Sequence, residues 1–244
     1  MNTCSNTFFV AALCINLPLA HGNCVPKKRA AAAAATEPVA PSPNAAVALV
    51  PPRPIAPSWP AESPIESHLT ELRHAGQESF RTNRVPKGRS ERYGHAETIV
   101  RAAASAVLVR TKDYAHYKEL APRRFRAASV LEMNTTGTDV YLEVPMIGGL
   151  VVLWQVLRFA PVATLSKSTK RVEGIFVRGN VSDAHVVFDI IQTAPNETLL
   201  TADLLITLPF AAPGDKIDEE LRDAAADAIR GIREQVEAAA PAPH

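Results

Sequence analysis

Between Asp215 and Glu237 the apolar residues Ile217, Leu221, Ala225, Ile229, Ile232 and Val236 recur at steps of four or three. That is the spacing of one helical stripe, and Asp, Glu, Arg, Lys and Gln fill the remaining faces. Acids crowd the first turns (Asp215, Asp218, Glu219, Glu220), Arg230 and Arg233 come late, and Pro213-Gly214 breaks the chain just before, with Asp215 as N-cap. This charge order suits the helix dipole. At ~1.5 Å per residue the helix is ~35 Å long. A stripe of that length must be buried against something.

Upstream the period changes to two, the signature of strands. Val140, Leu142 and Val144 share one face, with Tyr141 and Glu143 on the other. Val186, Phe188 and Ile190 share a face, as do Leu200, Ala202, Leu204, Ile206 and Leu208, which the pattern places inside. In the strand from Val151 to Phe159, Val152, Trp154 and Val156 alternate with Leu153, Gln155 and Leu157. Further strands are expected over Glu91–Val100, Phe125–Met133 and Lys170–Arg178, and a short helix over Ile65–Ala75. Residues Gln77–Arg84 read as extended and Ile147-Gly148-Gly149 as a loop or bulge. Two short helices, Ala102–Arg110 and Tyr114–Leu120, follow the first strand, and Ala121-Pro122 ends the second. Strands joined by such short turns predict an antiparallel meander, since a parallel sheet needs longer crossovers.

The N-terminal quarter reads differently. Phe8–Leu19 is an apolar core followed by Ala20-His21-Gly22, the form of a cleavable secretory leader over residues 1–22. This predicts a secreted or periplasmic protein; the alternative is a cytoplasmic one with an apolar N-terminus. Residues 23–64 hold AAAAA, PVAPSP and PPRPIAPSWP, and a segment so poor in buriable residues is expected to be a disordered Ala/Pro-rich linker. The folded domain is then 65–240.

A net charge of +1 gives no basic field for nucleic acid. No run after residue 25 is long and apolar enough to span a bilayer, which leaves transient membrane contact open. Cys4, Cys14 and Cys24 all precede the domain, so neither a disulfide nor a thiolate metal site is expected within it. His95, His116 and His185 are far apart, and no metal or cofactor is expected from them. Glu143, Asp189 and Asp203 sit opposite the apolar face of their strands, while the face of Glu97 is ambiguous; all four are expected on a solvated outer face.

Three stretches carry a family likeness: GHAETIVRAAASAVLVRTKDYAHYKELAP from Gly94, with Asp113-Tyr114 and Tyr117; SVLEMNTTGTDVYLEV from Ser129; and TLLTADLLITLPF from Thr198, followed by the long helix. In this order they resemble the helix-grip fold of the START/polyketide-cyclase superfamily, including its coenzyme Q-binding protein type, over residues 77–238. The resemblance implies an α+β domain in which a curved antiparallel sheet wraps the C-terminal helix around a cavity for a lipid, quinone, sterol or polyketide-like ligand. Small residues on the helix (Ala224, Ala225, Ala228) would leave that space open. The expected ligand-binding residues are Val140, Leu142, Trp154, Val156, Arg158, Phe176, Phe188, Leu204, Ala225 and Ile229, with Tyr141 a further wall candidate. Arg158 shares parity with Trp154 and Val156 and is expected to hold a polar group of the ligand. The leading expectation is a non-enzymatic binder or carrier. The alternatives are a cyclase or aromatase using polar residues near Arg158, Glu97 or His95, and an interaction module whose own side chains fill the hollow.

Overall fold

A computed structural model describes residues 57–74, 79–122, 124–146, 149 and 151–239. The leader, the linker as far as residue 56 and most of the loop at 147–149 lie outside the described residues. Helix α1 (Glu66–His74) precedes strands β1 (Phe80–Arg84) and β2 (Tyr93–Val100). Helix α2 (Ala104–Thr111), a 3-10 turn at Tyr114–His116 and α3 (Tyr117–Leu120) follow. Strands β3 (Ala127–Asn134), β4 (Gly137–Met146), β5 (Val151–Phe159), β6 (Ala163–Thr164), β7 (Thr169–Gly179), β8 (Asp183–Ala194) and β9 (Glu197–Thr207) lead to α4 (Gly214–Ala239). The nine strands make one antiparallel sheet in the order β1-β2-β9-β8-β7-β5-β4-β3, with β6 paired to β7. The extended stretch before residue 84 is thus a strand of its own, closing the sheet beside β2.

The long helix lies against the concave face of this sheet. Leu221, Ala225, Ile229, Ile232 and Val236 are buried and Ile217 is partly buried, so the stripe read from the sequence is the face that packs. Burying each Leu or Ile here contributes about 1.5–3 kcal/mol. Helix and sheet touch backbone to backbone at one point. A Cβ added to Gly94 of β2 would lie 2.2 Å from the Leu221 carbonyl carbon. A Cβ on Gly231 would lie 1.8 Å from the Leu120 carbonyl oxygen, so the end of α3 abuts the helix in the same way. Two glycines therefore set how deeply α4 sits.

The convex face is not the solvated surface that the alternation suggests. Residues 57–74 lie across it as a strap. Trp59, expected in a disordered linker, is 3% exposed and packs edge-on against Tyr93 and His185. Leu69 and Leu72 of α1 pack with Ile191 and Leu199. Beneath the strap Glu97, Asp189 and Asp203 are buried; of the four acids expected in water, Glu143 alone keeps partial exposure. Each buried acid has partners. Arg171 grips Asp189 through two bonds of 2.6 and 2.7 Å and donates to the Trp59 carbonyl at 2.7 Å. Arg84 forks onto Asp203 and also binds Glu62 of the strap. His95 sits between two carboxylates, with Nδ1 2.9 Å from Asp203 and Nε2 2.9 Å from Glu97, which also meets His68 of α1.

A carboxylate beside each ring nitrogen favours the protonated form of His95. Burial disfavours its charge, but the bonds to Asp203 and Glu97 outweigh burial and raise its pKa. Burial likewise pushes Glu97 and Asp203 up, and their cationic partners outweigh it and leave both below the usual carboxylate range. A raised histidine stabilises fully below its unfolded pKa of ~6.5 and is lost as pH climbs through its folded value. Lowered carboxylates stabilise above ~4.5 and are lost as pH falls.

Three outcomes are expected. Gly94→Ala destabilises the protein by about 1–3 kcal/mol in urea unfolding, because the helix must lift to admit the methyl group; an unchanged midpoint contradicts this seat. The stability of the native chain peaks between about pH 4.5 and 6.5 and falls on both sides. In His95→Leu the alkaline decline flattens while stability at the peak drops by about 3–5 kcal/mol, the cost of leaving two buried carboxylates face to face.

Candidate functional site

α4 packs along β1, β2 and part of β9, and a cavity of about 80 Å³ lies between the helix and the rest of the concave face. Leu142 and Val144 of β4, Phe159 of β5, Val186 and Phe188 of β8 and Leu204 and Ile206 of β9 line it from the sheet. Ala224, Ala228 and Ile232 roof it from α4. These two alanines are one reason the space exists, since larger residues there would reach the sheet. Tyr117, Leu120, Ala121, Arg124 and Phe125 close one end. Tyr114 stacks on Phe159 at 4.4 Å and Tyr117 meets the same ring edge-on at 5.9 Å, so the helix pair buttresses this wall. Burial pushes the Tyr117 hydroxyl well above its ordinary pKa, and as a neutral phenol it donates to the Thr111 carbonyl at 2.7 Å.

Polar atoms in the lining are few. Arg124 is engaged by Asp227 (2.5 Å) and Glu220 (2.9 Å), both on α4, so its charge is matched at the rim. Gln155 of β5 is 3% exposed, and its Oε1 has no hydrogen-bond partner among the described residues.

Of the residues expected to bind ligand, the structure brings Leu142, Phe188 and Leu204 to the cavity. Val140, Ala225 and Ile229 are fully buried in the adjoining core, and Phe176 packs against that core from its edge. Trp154, Val156 and Arg158 require correction. The register pairs Val140 with Leu157, Leu142 with Gln155 and Tyr141 with Val156. The concave face of β5 therefore carries Leu153, Gln155, Leu157 and Phe159, and the expected trio points the other way. On the convex side Arg158 is bound by Asp139 through two bonds of 2.7 Å, and Trp154 stacks on Tyr141. The cause is local: VVLWQVLRF is apolar at both parities, so alternation alone cannot orient it. Glu97 and His95 also face the convex side, away from the cavity. Among the described residues no group of three or more His, Cys, Asp or Glu is placed to hold a metal ion. No described helix is long and apolar enough to cross a membrane.

Sequence reasoning missed Gln155, Phe159 and the tyrosine wall. Parity read from Phe159 and Leu157 would have found Gln155. The pairing of Tyr114 and Tyr117 within DYAHY was visible, but its partner across the fold was not.

No protein-family model and no curated sequence matches the chain. Solved structures do. A STAR-related lipid transfer protein fragment from Xanthomonas axonopodis aligns with a TM-score of 0.55 at 15% identity, covering 66% of this chain and 94% of that one. Human StAR-related lipid transfer protein 5 aligns at 0.53 and 12% identity, covering 71% and 93%. A START superfamily protein from Mycobacterium smegmatis aligns at 0.52 and 17% identity, covering 60% and 97%. Together with the sheet order, the two short helices after β2 and the long helix in the concave face, these likenesses show that the chain carries the START-type helix-grip fold.

Proposed function

We propose that this protein binds and carries a hydrophobic small molecule, of lipid, quinone, sterol or polyketide-like type, in the cavity under α4. The observation that carries the reading is the cavity itself: sheltered under α4, lined almost wholly by carbon, and kept open by Ala224 and Ala228. Apolar burial supplies the affinity, at ~25 cal/mol per Å². Its volume is below the ~300–1,000 Å³ of drug-sized sites. A compact ring system, or one end of a longer molecule, suits it best. The two structural neighbours named as lipid transfer proteins agree with this reading without carrying it. Arg158, Glu97 and His95, on which a cyclase or aromatase was to depend, all face away, which favours carriage over chemistry. In this reading the apolar leader at 1–22 exports the chain, and the Ala/Pro segment tethers the domain.

Native mass spectrometry of the purified full chain, with an organic extract analysed in parallel, tests the proposal. A co-purifying hydrophobic compound, or uptake of an added one at one per chain, is expected; repeated absence of both counts decisively against it. Ala228→Phe should fill the cavity, weakening uptake at least tenfold while leaving the thermal midpoint unchanged or raised. Undiminished uptake by that variant moves the ligand to another site.

A further inference from the structure

We infer that the ligand presents a hydroxyl group to Gln155, so that the site selects a hydrophobic alcohol or phenol over a hydrocarbon or a carboxylic acid; this rests on the carrier reading above. Gln155 lies in the middle of β5, paired with Leu142 on one side and Gly179 on the other. It is 3% exposed and lines the cavity among Leu142, Phe188 and Leu204, with its amide oxygen unmatched by any described residue. A buried amide left unpaired is costly, and such groups in native proteins have partners. The fold supplies none here, although a leucine of similar volume would suit the same position in a purely structural core.

The chemistry of the missing partner follows from the surroundings. Oε1 is itself covered, so the amide must turn about its last bond to offer it to the cavity; a hydroxyl, which both donates and accepts, meets whichever end is turned inward. A carboxylate cannot donate to Oε1. The cation of the lining, Arg124, is already held by Asp227 and Glu220, which leaves two carboxylates beside it and no net positive charge to welcome an acid. A hydrocarbon leaves the amide as it is.

The test uses the full chain and three probes of one shape: 2-naphthol, naphthalene and 2-naphthoate at neutral pH, titrated by naphthyl fluorescence. The native protein should prefer 2-naphthol to each of the others by about tenfold. In Gln155→Leu that preference over naphthalene collapses to near unity, with naphthalene bound as well as before or better. Removing an orphaned amide should also leave the variant folded or raise its thermal midpoint; Gln155→Met, with the same shape, serves if the leucine variant does not fold. Equal binding of naphthalene and 2-naphthol, or a preference that survives both substitutions, overturns the role of Gln155 while leaving the carrier reading intact. Tighter binding of 2-naphthoate overturns the hydroxyl assignment. Binding of none of the three by either protein sinks the carrier reading itself for ligands of this size.

Discussion

The contact between Gly94 and the Leu221 backbone determines where the inside of this molecule is full and where it is hollow. With no Cβ on Gly94, α4 drops onto β2 until main chains touch. Gly231 lets the end of α3 close on the same helix. A helix held that tightly against one side of a curved sheet does not also follow the other side. The gap opens over β4, β5, β8 and β9, and the alanines of α4 that face it do not reach across. Protein interiors are ordinarily packed to the density of organic crystals, so an apolar hollow of this kind is a departure that the helix seat produces.

Opposite the hollow, the sheet is covered as well. The strap at 57–74 turns what alternation marks as a wet face into a second interior, built from ion pairs as well as hydrocarbon. Buried ion pairs are weak contributors to net stability, because desolvation offsets much of their attraction. Their value here is in register: Arg171 reaches the Trp59 carbonyl, Arg84 reaches Glu62 and Glu97 reaches His68, so a misplaced strap would leave charges unpaired. The two faces thus divide the work. Charge pairing fixes the outer layer, and the inner layer is free to stay apolar and incompletely filled.

Much of this architecture was readable in the residues. The α4 stripe, the alternation of β4, β8 and β9 and the two short helices before β3 all obey one local rule each, and their order is sufficient to suggest the fold. The site was half legible. Leu142, Phe188 and Leu204 were found because their strands alternate cleanly, whereas Trp154, Val156 and Arg158 were placed on the wrong face because β5 is apolar on both. The buried acids were missed for a different reason. Alternation tells which residues share a face but not whether that face meets water, and the answer lay in a proline-rich segment more than a hundred residues from Asp189 and Asp203 in the chain. Trp59, a large aromatic within that segment, was the available sign that it packs.

Ligand carriage requires an apolar hollow between the long helix and the sheet, and xenon reports such a hollow directly because it enters apolar cavities without needing any polar partner. Crystals of the protein pressurised with xenon should show an anomalous peak among Leu142, Phe188 and Ala228. No xenon there under pressure, with those side chains in mutual contact instead, would mean that the helix and sheet close on one another and that the hollow does not exist.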